Sequence, residues 1–170
     1  MTIRIINLSF FVITFASVVS GQQTSIENGW KGIRVFSNNR NDVEKILGIP
    51  IANDDKIYTV YSSKDARVAI VFSGVPCKRA VGGKGDFKLP EGTVIEYTVS
   101  LKSPVPLFEF DWKKDIYSSS IDPHRPNVKS YYNSRDGVWV TTELINGTEM
   151  VGRFWFLATD NQKRQYRCNL

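Results

Sequence analysis

Along most of this chain apolar residues alternate with polar ones, and one stretch repeats them at helical spacing. From Thr93 onward, Ile95, Tyr97, Val99 and Leu101 take turns with Val94, Glu96, Thr98 and Ser100, the pattern of a strand with one buried face. Ile57 to Ser62 and Arg67 to Ser73 are β-branched and aromatic, separated by a short polar connection that suits a hairpin, and Val68, Ile70 and Phe72 share a face. Val128 to Asn133, Val138 to Ile145 and Thr148 to Ala158 read as three further strands. They are joined by Asp136-Gly137 and Asn146-Gly147, dipeptides that accept the positive φ of tight hairpin turns. The helical stretch follows Ser37, Asn38 and Asn39, all good N-caps. Asp42 and Glu44 fall in its first turns, Val43, Ile46 and Leu47 form its apolar stripe, and Gly48 and Pro50 end it. All three stripe residues are expected to be buried against the sheet.

The interruptions are as informative. Gly74 to Pro90 is rich in glycine and predicts a long loop. Two prolines within Ser103 to Pro106 are expected to break the strand that begins near Thr93. Asp122-Pro123-His124-Arg125-Pro126 predicts a loop over Ser118 to Asn127. Leu107 to Tyr117 fits both periods and stays open, and the last ten residues are polar until Tyr166 and Cys168. The sum is an α+β fold, mainly antiparallel sheet with one short N-terminal helix. Residues 38–101 give a helix and three strands, and residues 107–158 give the open segment and three strands, so two degenerate helix-plus-meander halves are a possible organisation.

The first 21 residues follow neither pattern. Arg4 gives a short positive start, Leu8 to Val19 is mainly apolar, and Ser20 and Gly21 are the small residues a signal peptidase requires. They predict a signal peptide over 1–21, a disordered polar N-terminus over 22–28 and a single globular domain over 29–170. The apolar run falls short of the ~20 residues that span a bilayer, so no transmembrane segment is expected and the mature protein should be secreted or periplasmic.

Charge and cysteine usage then narrow the function. The formal net charge is +5, of which Arg4 carries one, and the basic residues fall in small sets such as Lys113 with Lys114. No nucleic-acid partner is expected from so diffuse an excess. Cys77 and Cys168 are the two cysteines, and an exported pair predicts one disulfide. Closing a loop of about 90 residues adds roughly 4–5 kcal/mol in the chain-entropy treatment. With a single histidine, no four-ligand zinc spacing exists, and neither metal nor other cofactor is expected.

Candidate chemistry is thin. His124 stands alone in its loop, without a second histidine or a patterned carboxylate nearby. A Cys77–His124 nucleophile pair competes with the disulfide. Glu109 and Asp111 would share a face of a strand, but such a pair is more often a solvent-facing row than a glycosidase dyad. Gly82-Gly83-Lys84-Gly85 lacks phosphate-loop spacing, and a hairpin turn accounts for the Asn146-Gly147-Thr148 sequon. Aromatic residues crowd the last three strands: Tyr131, Tyr132, Trp139, Phe154, Trp155 and Phe156. One face must be core. Tyr131, Trp139 and Trp155 are the candidate binding surface on the other. That face is either covered by the first half of the chain, as the rarity of large exposed apolar areas favours, or free for a protein or carbohydrate partner. A non-catalytic binding protein is favoured over a small secreted hydrolase built on Glu109, Asp111 or His124, and over a structural accessory of an envelope complex.

Gly29-Trp30-Lys31-Gly32-Ile33, followed by Ser37, Asp42, Val43, Leu47, Gly48 and Pro50, resembles the start of a family of uncharacterised secreted bacterial proteins of the acidobacterial type. Their mature ends carry Trp-x-Gly-Ile and then an Asp-Val-x-x-x-Leu-Gly helix. The likeness extends to Pro76-Cys77, to Pro90-x-Gly-Thr-Val ending at Val94, and to Arg167-Cys168. It implies secretion and supplies no substrate. Asp42 to Pro50 is also distantly similar to the helix that introduces the helix-plus-sheet unit of outer-membrane-assembly lipoproteins and β-lactamase inhibitor proteins. That resemblance implies a binding role, although no cysteine here directly follows the signal for lipidation.

Overall fold

Among the described residues, eight strands build one antiparallel sheet: β1 (Ala52–Asp54), β2 (Tyr58–Ser62), β3 (Ala66–Phe72), β4 (Val94–Pro106), β5 (Ser118–Asp122), β6 (Arg125–Asn133), β7 (Val138–Ile145) and β8 (Thr148–Leu157). The computed structural model describes residues 29–54, 57–78, 87–110 and 113–168. The expected signal peptide, the polar 22–28 stretch, Gly82 to Gly85 and Asp111 lie outside them. The strand order is β1-β2-β3-β4-β8-β7-β6-β5, so two four-stranded meanders meet where β4 pairs with β8. Each half has four strands, one more than the alternation predicts. The second half opens with two single-turn 3₁₀ helices, Leu107–Glu109 and Lys114–Ile116, instead of an α-helix. The two halves lie side by side, so neither covers a face of the other.

Both proline-rich interruptions turn out to be strand. Along β4, pairing with β3 ends at Leu101 opposite Ala66, so Pro104 and Pro106 lie where that side has no strand requiring their missing N–H. On the other side the ladder with β8 skips between Ser100 and Val105. The expected loop around His124 is a hairpin turn of two residues, Pro123 and His124, between Asp122 and Arg125. The β5–β6 ladder is irregular between Ile121 and Asp122, which leaves Pro126 outside the paired positions.

Two α-helices among the described residues flank the sheet. In α1 (Arg40–Leu47), Asn39 and Asp42 cap each other reciprocally, and Gly48 closes the helix at φ 82°. The guanidinium of Arg40 lies 4.2 Å from the Phe72 ring centre and donates to Thr59 Oγ1 at 2.9 Å, holding the first turn on β2 and β3. Val43 is fully buried and Leu47, one turn on, is partly buried against the main core, but Ile46 is 38% exposed, contrary to expectation, because it lies off the line that Val43 and Leu47 present to the sheet. A second helix, α2 (Asp160–Tyr166), corrects the expectation of a single one. It carries a Thr159–Gln162 capping box and has no fully buried residue.

The inner face carries the main core. Ile33 and Val43 join Tyr61, Val68, Ile70 and Phe72, while Leu107, Phe110 and Tyr117 join Tyr131, Val140 and Phe154. Phe110 meets Phe154 edge-on at 5.2 Å, and Tyr97 stacks on Phe156 at 4.4 Å. The strict alternation read for β4 fails at its start. Val71 pairs with Glu96 but Phe72 with Val94, so Ile95 is an extra residue and Val94 takes its place in the main core. Ile95 packs instead in a second cluster at the end of the sheet, with Phe36, Val71, Leu89 and Ala158. There Cys77 and Cys168 are bonded with Cα atoms 5.5 Å apart, and Phe87 bridges to Arg167 beside them, so the tail is pinned to the β3–β4 connection. Among the described residues no helix is long and apolar enough to cross a membrane.

Candidate functional site

A sheet whose core lies on one side leaves its other face to be accounted for, and the register fixes what stands there. Ala69, Thr98, Trp155, Trp139 and Tyr132 occupy successive strands in one row across this outer face. Tyr132 and Trp139 have ring centres 5.7 Å apart, Trp139 and Trp155 5.9 Å apart, each pair tilted. Trp139 is 39% exposed, and Trp155 and Tyr132 are partly exposed. Tyr131 is not part of this surface. It pairs with Val140, which pairs with Phe154, and at 1% exposure it belongs to the core. Tyr132 stands where Tyr131 was expected.

A polar row runs beside the aromatic one: Arg67, Ser100, Arg153, Thr141 and Ser130. The Arg153 guanidinium lies 5.3 Å from the Trp155 ring centre. Val151 and Arg153 pair with Thr142 and Thr141, which makes Gly152 an extra, bulged residue of β8. A Cβ built on Gly152 meets nothing within 4 Å, and the space above it belongs to a groove of about 420 Å³ floored by Trp139, Trp155 and Thr141. Acids at the groove margin have partners already. Asp122 receives two bonds from Arg125, at 2.8 and 3.0 Å, and one from the His124 backbone N–H at 2.9 Å. These hold its carboxyl below the ordinary range, Arg125 most strongly. Glu143 accepts from Asn127 Nδ2 at 2.7 Å.

Of the hydrolase candidates, Glu109 and His124 are described and are not brought together. Glu109 lies exposed in the first 3₁₀ turn, His124 lies exposed at the β5–β6 tip, and no hydrogen bond or ion pair joins them. Cys77 is committed to its disulfide. Among the described residues no group of three or more His, Cys, Asp or Glu is placed to hold a metal ion. On the inner margin a second polar cluster forms around Tyr131. Its hydroxyl donates to both Glu149 oxygens at 2.7 and 2.8 Å, with Lys114 and Lys129 at 3.7 and 3.8 Å from the same carboxylate. Burial and then Glu149 push the Tyr131 phenol above its ordinary range. Both lysines also lie near the Tyr131 ring, at 5.3 and 4.8 Å from its centre. This cluster ties the second 3₁₀ turn to β6 and β8.

Sequence reasoning missed Arg153 and Arg67, which fall in no basic cluster; their opposition across Ser100 appears only once β4 separates β3 from β8. The chain matches no family model, no curated protein and no solved structure.

Proposed function

We propose that this protein is an exported, noncovalent binding module that presents the outer face of its sheet to a protein or carbohydrate partner. The observation that carries the reading is the uncovered row of Tyr132, Trp139 and Trp155 with Arg153 beside it. Aromatic side chains and arginine are the residue types that dominate binding interfaces. The Cys77–Cys168 bond supports export, since such bonds persist in oxidising compartments. The kinship with secreted bacterial proteins is part of the same proposal. Trp30, from its Trp-x-Gly-Ile motif, packs 5.9 Å from Phe154, and Val43, from its helix motif, is core, so both motifs act in folding. The two meanders are read as degenerate copies of one unit, a reading supported by their mirrored strand order about β4 and β8.

The test compares Trp139→Ala and Trp155→Ala with the triple change of Glu109, Asp111 and His124 to Ala, against a partner captured from the native envelope fraction. Each folded tryptophan variant should lose about 2 kcal/mol of affinity, roughly thirtyfold. Loss confined to the triple variant favours the hydrolase instead.

A further inference from the structure

We infer that the outer face binds an acidic polysaccharide, a chain of sugars bearing carboxylates laid across the strands; this rests on the binding reading above and names its ligand. Pyranose rings present flat C–H faces, and these stack on aromatic rings. Here three aromatic rings follow one another across β6, β7 and β8 at 5.7 and 5.9 Å. The spacing follows from strands set ~4.8 Å apart, which is close to the advance of one sugar along an extended chain. A ligand running across the strands therefore meets one ring per sugar.

The polar row supplies the second half of the match. Ser100, Thr141 and Ser130 carry hydroxyls that both donate and accept, as sugar hydroxyls do. Charge then selects among sugars. Asp122 is neutralised by Arg125, and Glu143 accepts from Asn127 and keeps its charge at the groove margin, whereas among the described residues Arg153 and Arg67 have no acidic partner. The two arginines stand two strands apart, their backbones separated by roughly 10 Å, on either side of Ser100. That arrangement suits carboxylates repeated along a chain, each able to take a forked pair of N–H donors. A neutral glycan would leave both cations unused. An acidic peptide would satisfy them but offers no flat faces to Trp139 and Trp155. The bulge at Gly152 opens the floor between the two rows, so a side chain placed there would fill ligand space without displacing any protein atom within 4 Å of its Cβ.

The probes are oligogalacturonate and oligomannuronate, a neutral cello-oligosaccharide of equal length, and a polyglutamate peptide, titrated by calorimetry and by the indole NMR signals of the full protein. At least one uronate oligomer should bind saturably and shift Trp139 and Trp155. Arg153→Gln should weaken it roughly tenfold or more, the effect of one charge-assisted bond. Gly152→Leu should abolish it while leaving the urea midpoint in place. Equal affinity for the neutral oligosaccharide overturns the acidic assignment, and equal affinity for polyglutamate overturns the saccharide. No uronate binding, or binding indifferent to Arg153→Gln and Gly152→Leu, overturns the inference entirely. None of these outcomes touches the broader reading of the sheet face, which fails only if a captured partner binds Trp139→Ala as tightly as the unaltered protein.

Discussion

Replacing Tyr97 with Phe removes one oxygen from the middle of the fold and should weaken it by about 2–4 kcal/mol. The Tyr97 hydroxyl donates to the Ile33 carbonyl at 2.7 Å and accepts from the Trp30 N–H at 2.9 Å, fastening the turn at residues 30–32 to β4. The ring is 1% exposed and stacks on Phe156, contacts a phenylalanine keeps. What changes is therefore confined to two orphaned backbone groups, at about 1–3 kcal/mol each when buried. Trp30 is only partly buried, which places its N–H at the low end. Urea unfolding with the disulfide intact reads the difference as a shift in midpoint at constant slope, and Tyr58→Phe, at a 46% exposed position, is the control expected to stay within about 0.5 kcal/mol. A loss below about 0.5 kcal/mol for Tyr97→Phe would refute the idea that this hydroxyl holds the N-terminal turn. The same group gives a pH signature. Burial raises the Tyr97 pKa above its ordinary 10.0, so its contribution is complete below pH 10 and is lost as the pH rises further, because the unfolded chain ionises first. Tyr97→Phe should flatten that alkaline loss.

Three further outcomes follow from the packing. Val43→Ala should cost about 2 kcal/mol and Ile46→Ala under about 0.5, read by the same melts, since the first is fully buried and the second exposed; equal losses would contradict the docking of α1 through its Val43 side. A thiol count on the unfolded, unreduced protein should be zero, and reduction should lower stability by up to roughly 4–5 kcal/mol; two free thiols would remove the Cys77–Cys168 bond from the fold. Gly137→Ala should be disruptive, by more than about 2 kcal/mol, because the residue sits at φ 67° and its Cβ would collide with the Leu157 carbonyl; a wild-type urea midpoint would contradict this.

How much of this was legible varied with how local the cause was. The Asn146-Gly147 turn was fully readable, and both residues do take positive φ, 50° and 79°, between Ile145 and Thr148. The face of Tyr131 was also readable in principle. A turn with an even number of residues around Asp136-Gly137 pairs Trp139 with an even-numbered residue, and the four-residue turn that forms chooses Tyr132. Prolines misled because proline bars a residue from donating to a ladder, not from a strand: Pro104 and Pro126 fall outside the paired positions, and Pro106, although opposite Met150 on β8, has no strand on its β3 side. For α2 the Thr159–Gln162 box was visible in the sequence, but the helix buries no residue fully, so no apolar stripe announced it. The bulges at Ile95 and Gly152 shift side chains between environments without any compositional mark. The groove depends on the second of these, which is why residue types suggested its aromatics and not its shape.

The meeting of β4 and β8 has a consequence for how the molecule assembles in time. Every other pair of neighbouring strands is consecutive in the chain, so each meander can close by local steps. Contacts such as Tyr97 with Phe156 join distant parts of the chain and carry the larger loop-closure entropy, which makes this seam the slow event. Until β8 has been synthesised and docked, β4, at 13 residues the longest strand among those described, keeps an open edge able to pair with another chain. Cys168 follows β8 and Cys77 precedes β4, so formation of their bond marks closure of the seam, and the rate of thiol loss during oxidative refolding becomes a clock for the last step of folding.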